Sequence, residues 1–180
     1  PSPNRPRSQP VSTIHLRPWQ RAAFDLFMSG AEPHPSDGAT DSDFLAVATP
    51  GAGKTTFALT CARATLARQT RPLIVVAPTS HLKVQWSLAA HRLGLQLDPD
   101  WSPADGLARD VHGLVTTYQQ IATGNTAAKL AGLSANGFVI LDEIHALAES
   151  KRGALLAVGL SRLRGFAPLW IAAGRIGRPL

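Results

Sequence analysis

The sequence predicts an α/β protein in which a parallel sheet is flanked by helices, and three observations carry that prediction. Short apolar runs at 44–48, Leu73–Ala77, Val111–Thr116 and Phe138–Leu141 read as strands buried in a sheet. Helix-spaced stretches at 54–68, 80–93 and roughly 125–133 lie between them, and strands alternating with helices indicate parallel crossovers. Two strings rich in chemistry, 48–55 and 142–145, each follow directly on one of these runs, at the strand ends where parallel sheets hold their ligands.

Taken in order, residues 1–13 are polar, basic and proline-rich, and are expected to form a disordered leader. From Leu16 a helical pattern begins, with Trp19, Ala22, Ala23, Leu26 and Phe27 at helical spacing and Pro18 near the first turn. Gly30 ends it, and residues 31–43 are a turn-rich loop whose acidic side chains read as solvated surface. The apolar run Phe44-Leu45-Ala46-Val47 then delivers Ala48-Thr49-Pro50-Gly51-Ala52-Gly53-Lys54-Thr55, followed by the helical pattern Phe57-Ala58-Leu59-Cys61-Ala62. A strand, a glycine turn and a helix start place backbone N–H groups around phosphates, with Lys54 adding a positive charge and Thr55 a hydroxyl ligand for Mg²⁺. Ala48 stands where the strict pattern has glycine.

The second strand ends in Pro78-Thr79-Ser80 before the next helix. Hydroxyls and N–H groups there either hold a phosphodiester backbone or simply cap the helix. The third strand runs into Thr117-Tyr118-Gln119, where Tyr118 could stack on a base but is expected to pack beneath the loop. The fourth delivers Asp142-Glu143-Ile144-His145. Asp142 is suited to the Mg²⁺ shell and Glu143 to orienting or deprotonating an attacking water, as phosphoryl transfer to water requires. The remaining histidines, His15, His34, His81, His91 and His112, show no metal-ligand spacing.

Composition sets the outer limits. A chain of 180 residues buries one core, and 44% hydrophobic with 17% charged residues excludes wholesale disorder. A net charge of +6 favours an anionic partner, with nucleic acid first and ATP or plain solubility as simpler accounts. Cys61 is the single cysteine, so no disulfide forms within the chain; this fits a reducing cytoplasm, and Cys61 reads as a small core residue. No membrane segment is expected, because the apolar stretch from Gly153 to Gly174 is interrupted by Arg162, Arg164 and Pro168.

Together these residues resemble the first RecA-like motor domain of superfamily-2 helicases, in the DEAD/DEAH-like group, nearest the DNA-repair and restriction-subunit type, over about residues 14–148. Leu16-Arg17-Pro18-Trp19-Gln20 is similar to the family's LRPYQ element, and Val75-Val76-Ala77-Pro78-Thr79-Ser80 with Gln85-Trp86 to its motif Ia. Asp142-Glu143-Ile144-His145 is similar to motif II, with Ile144 replacing a small residue. The resemblance implies an ATP site formed by Arg17, Gln20, Pro50, Gly51, Ala52, Gly53, Lys54, Thr55 and Thr56, in which Gln20 reads the adenine edge. It implies Mg²⁺ on Thr55 and Asp142, catalysis by Glu143 and Lys54, His145 linking the γ-phosphate to the nucleic-acid side, and nucleic-acid contacts from Thr79, Ser80 and Thr117.

The resemblance weakens downstream, where the family's Ser/Thr-Ala/Gly-Thr element and second RecA-like domain are not recognised. After Glu149 the only charged residues are Lys151, Arg152, Arg162, Arg164, Arg175 and Arg178. The expectation is therefore a carboxyl-terminally incomplete RecA-like P-loop domain at 14–150, with 151–180 as a basic tail foreign to the fold, truncated or out of frame. Its activity would be that of an ATP-dependent DNA helicase or translocase motor domain, weak in this chain, with a second RecA-like domain as missing partner. A nucleotide- and nucleic-acid-binding module without turnover, and a P-loop NTPase unrelated to nucleic acids, stay open.

Overall fold

The computed structural model describes residues 14–29, 43–122, 124–134, 137–142 and the backbone of 169–174. The leader 1–13, Glu143, His145 and the remainder of 151–180 lie outside the described residues.

Helix α1 (Pro18–Ser29) starts on proline, whose fixed φ and missing N–H suit the first helical position, and it buries Gln20 and Phe27. Strand β1 (Asp43–Val47) leads through the glycine loop into α2 (Lys54–Leu66). Strand β2 (Leu73–Ala77), α3 (Ser80–Arg92), β3 (Leu97–Asp98) and β4 (Gly113–Thr117) follow. After them come α4 (Tyr118–Ile121), α5 (Gly124–Ser134), β5 (Phe138–Asp142) and β6 (Leu169–Gly174). The strands form one parallel sheet in the order β1-β6-β5-β2-β4-β3.

Side chains alternate across this sheet and build two cores. Leu73, Val75, Ala77, Val115, Phe138 and Ile140 face Phe27, Phe57, Leu59, Trp86 and Ala90, which come from α1, α2 and α3. Ile74, Val76, Leu114, Val139 and Leu141 face Tyr118, Ile121, Leu130 and Trp101. The chain thus moves from β1 out to β3 at the far edge with α2 and α3 on one face, and returns through β4 to β5 with α4 and α5 on the other, as crossovers of one hand require. At Gly113 a β-carbon would sit on the Leu73 carbonyl, so only glycine lets β4 start this close to β2.

The four strands and four helices read from the sequence are present, with ends displaced by a few residues. Three short elements, β3, α4 and β6, were not expected, and β6 corrects the tail reading. Its 6 residues pair with β1 on one side and with β5 on the other, so this part of 151–180 lies inside the sheet. Its sequence hides the strand: after Leu169-Trp170-Ile171 the run dissolves into Ala172-Ala173-Gly174, residues of low strand preference. Among the described residues no helix is long and apolar enough to cross a membrane.

Candidate nucleotide-binding site

The loop between β1 and α2 is shaped by two glycines in the left-handed region, Gly51 at φ 74° and Gly53 at φ 88°. At Gly51 a β-carbon would meet open space, so the backbone angle alone calls for glycine; at Gly53 it would also lie 2.6 Å from Gln20 Nε2. The Ala52 N–H donates to the Thr49 carbonyl at 3.2 Å and closes the turn. The first bond of α2 runs from the Phe57 N–H to the Gly53 carbonyl at 3.1 Å, and Gly53 at the N-cap supplies no side-chain cap. The N–H groups of Lys54, Thr55 and Thr56 thus have no carbonyl within the helix to bond, and with the helix dipole they form an anion seat. Lys54 Nζ donates to the carbonyls of Ala48 at 2.8 Å and Thr49 at 3.2 Å, which holds the ammonium against the loop.

Helix α1 clamps this loop from outside. Gln20 is only 3% exposed; its Nε2 donates to the Gly53 carbonyl at 2.9 Å and to Ala52 at 3.5 Å, while its Oε1 accepts the Arg17 N–H at 2.8 Å. Arg17 Nη1 donates to the Gly51 carbonyl at 3.3 Å, and the Trp19 and Phe57 rings pack with centroids 5.7 Å apart. The structure therefore brings Arg17 and Gln20 to the loop, where the Gln20 amide bonds the loop backbone.

Asp142 ends β5 on the same edge of the sheet. Between it and the loop runs β6, whose Ala173 is opposite Asp142 and whose Gly174 is opposite Val47. The two strand ends are thus two strand spacings, about 10 Å, apart on one edge of the sheet. Trp86 Nε1 donates to Asp142 Oδ2 at 2.8 Å, and the Tyr118 hydroxyl donates to the Asp142 carbonyl at 2.9 Å. Tyr118, 2% exposed, is packed inside as expected. The link from Trp86 to Asp142 carried no signal in the sequence beyond the presence of a tryptophan.

The candidate nucleic-acid residues divide. Thr79 and Ser80 are exposed at the start of α3. Thr117 is 4% exposed, and its hydroxyl accepts the Gln120 N–H at 3.2 Å while Gln120 Oε1 accepts the Thr117 N–H at 3.0 Å, a reciprocal capping box at the start of α4. Thr117 thus shapes the helix start from below the surface. Lys83, 9% exposed, reaches the same Gln120 Oε1 at 3.5 Å and was not anticipated. Cys61 is fully buried, and loss of solvation pushes its thiol up to about 12, partly offset by a backbone hydrogen bond.

The groups present fit a nucleotide phosphate and Mg²⁺. Backbone N–H groups and Lys54 suit phosphate oxygens, and Thr55 and Asp142 are oxygen donors of the kind Mg²⁺ accepts alongside phosphate and water. Among the described residues no group of three or more His, Cys, Asp or Glu side chains is placed to hold a metal ion.

Comparison with known proteins gives the same picture. The chain is 42% identical over 142 residues to the uncharacterised protein Rv2917 of Mycobacterium tuberculosis, covering 76% of this chain and 22% of that one. It therefore spans about a fifth of that relative's length. In fold it is similar to the Sulfolobus solfataricus SWI2/SNF2 ATPase core solved in complex with dsDNA, with TM-score 0.67, 16% identity, and coverage of 89% of this chain and 32% of that one. It is likewise similar to the Pyrococcus furiosus Hef helicase domain, with TM-score 0.62, 19% identity, and coverage of 92% and 33%. The architecture is the RecA-like fold of these helicase domains. The model of the DEAD/DEAH box helicase family matches residues 17–173, and with a glycine loop and a motif II strand end on one sheet edge, the chain belongs to that family.

Proposed function

We propose that the chain binds ATP with Mg²⁺ and serves as the first motor domain of a DNA helicase or translocase, completed by a second RecA-like domain. The observation that carries this reading is the shared sheet edge, to which β1 delivers the glycine loop with the uncapped start of α2 and β5 delivers Asp142. Loop N–H groups and the Lys54 ammonium bind and orient the phosphates, Lys54 exchanging its bonds to Ala48 and Thr49 for phosphate oxygens. Thr55 and Asp142 hold Mg²⁺, which neutralises charge on the phosphates when bound. Glu143 orients or deprotonates water, and His145 connects that step to the nucleic-acid side, both roles taken from the family resemblance. DNA contacts come from Thr79 and Ser80, with Thr117 acting through its helix cap; the dsDNA-bound relative supports DNA over RNA.

Hydrolysis by these 180 residues alone is expected to be slow. An arginine finger contributes on the order of 10³–10⁵ in rate, and the resemblance places it in the second domain. The direct test is titration with a fluorescent ATP analogue in Mg²⁺. Lys54→Ala should abolish or strongly weaken binding while leaving the unfolding midpoint nearly unchanged, and equal affinity in the two proteins would refute the loop assignment.

A further inference from the structure

Asp142 is gripped from both faces of the sheet by residues of other elements. Alternation along β5 puts its carboxylate on the face of Phe138 and Ile140, where α3 packs, and there Trp86 Nε1 meets Oδ2 at 2.8 Å. From the opposite face the Tyr118 hydroxyl reaches the Asp142 carbonyl at 2.9 Å. We propose that Trp86 and Tyr118 are positioning residues for the Mg²⁺-binding carboxylate, Trp86 fixing its side chain and Tyr118 the strand end that carries it. This rests on the reading of Asp142 as a Mg²⁺ ligand.

Filling the core does not by itself require the indole N–H to find this partner. Trp101 is as deeply buried, at 3% exposure against 2% for Trp86, and its Nε1 has no hydrogen-bond partner among the described residues. The fold thus accommodates one buried indole without a bond and gives the other a short one to a carboxylate. A charge-assisted bond from a fixed, buried donor restricts the carboxylate to one rotamer, so little freedom remains to be lost when a cation binds. Tyr118 acts one step back. By tying the carbonyl at the last residue of β5 it sets the height of Asp142 above the sheet edge.

The test uses the full chain and two conservative variants, Trp86→Phe and Tyr118→Phe, each checked for folding by thermal unfolding. Affinity for a fluorescent ATP analogue is measured with Mg²⁺ and with EDTA. Trp86→Phe should leave the EDTA affinity unchanged and reduce the Mg²⁺-dependent gain by about tenfold, the size of one charge-assisted hydrogen bond. Tyr118→Phe should act in the same direction and less. In the unaltered chain the indole ¹⁵N–H resonance of Trp86 should shift when Mg²⁺ and the analogue are added together, a readout that survives even if a variant fails to fold. Equal losses with and without Mg²⁺, or an unmoved resonance, overturn the inference. Asp142→Asn separates it from the reading beneath: if that variant keeps the Mg²⁺ gain, the ligand assignment fails; if it loses the gain and Trp86→Phe does not, only the positioning role fails.

Discussion

Gln20 shows how a residue found by pattern acquires its role from geometry. The motif pointed to the base, yet the amide bonds Gly53, Ala52 and Arg17, so Gln20→Ala should loosen the loop. The expected cost is about 1–2 kcal/mol of stability, from orphaned buried groups, with ATP and GTP analogues weakened together. Competition binding measures this, and a loss confined to ATP would assign the amide to the adenine edge instead. Cys61 offers a second test. Its thiol is held protonated well above the usual 9.0 by burial, up to about 12, so the folded state binds more protons than the unfolded one between these values. Its contribution to stability is then fully present below pH 9 and is lost as pH rises toward 12, a decline that Cys61→Ala should lessen in denaturant titrations. The glycines, Lys54, Thr55 and Asp142 were legible because each motif position has one dominant chemistry. The Trp86 contact was not, because it joins residues brought together only by the packing of α3 against the sheet.

At the scale of elements, the four expected strands were legible from short apolar runs, and α2 and α3 from their spacing and turn signals. Strands β3 and β6 and helix α4 escaped for separate reasons. With 2 and 4 residues, β3 and α4 are too short to show a period, and β6 ends in residues that favour no strand. The elements carrying the candidate nucleic-acid residues are the same ones that grip Asp142: α3 begins at Ser80 and bonds through Trp86, and α4 begins at Tyr118, directly after its cap Thr117. On the proposed function, an oligonucleotide seated on those helix starts would be linked through Trp86 and Tyr118 to Asp142. It should raise affinity for the Mg²⁺-bound ATP analogue, and the analogue should raise oligonucleotide affinity by the same factor. Anisotropy titrations in both directions check the equality, and Trp86→Phe should reduce both effects.

At the scale of the molecule, the sheet order makes β6 the link between β1 and the other four strands. A chain ending at residue 168 leaves β1 without a hydrogen-bonded neighbour strand, and the glycine loop is attached to β1. That truncation should lower the unfolding temperature sharply and abolish nucleotide binding, whereas removal of residues 175–180 should leave both almost intact. Thermal unfolding with analogue titration distinguishes the cases, and an unaffected shorter chain would return 169–174 to a dispensable tail. The same adjacency governs the order in which the protein can be made. Residues 43–47 are translated well before residues 169–174, the strand they pair with, and closing so long a loop is entropically slow. The glycine loop is thus made long before the strand that holds β1 in the sheet, so nucleotide capture by the nascent protein should begin only once residues 169–174 have been added, which ribosome-bound chains of stepped length would show with the fluorescent analogue.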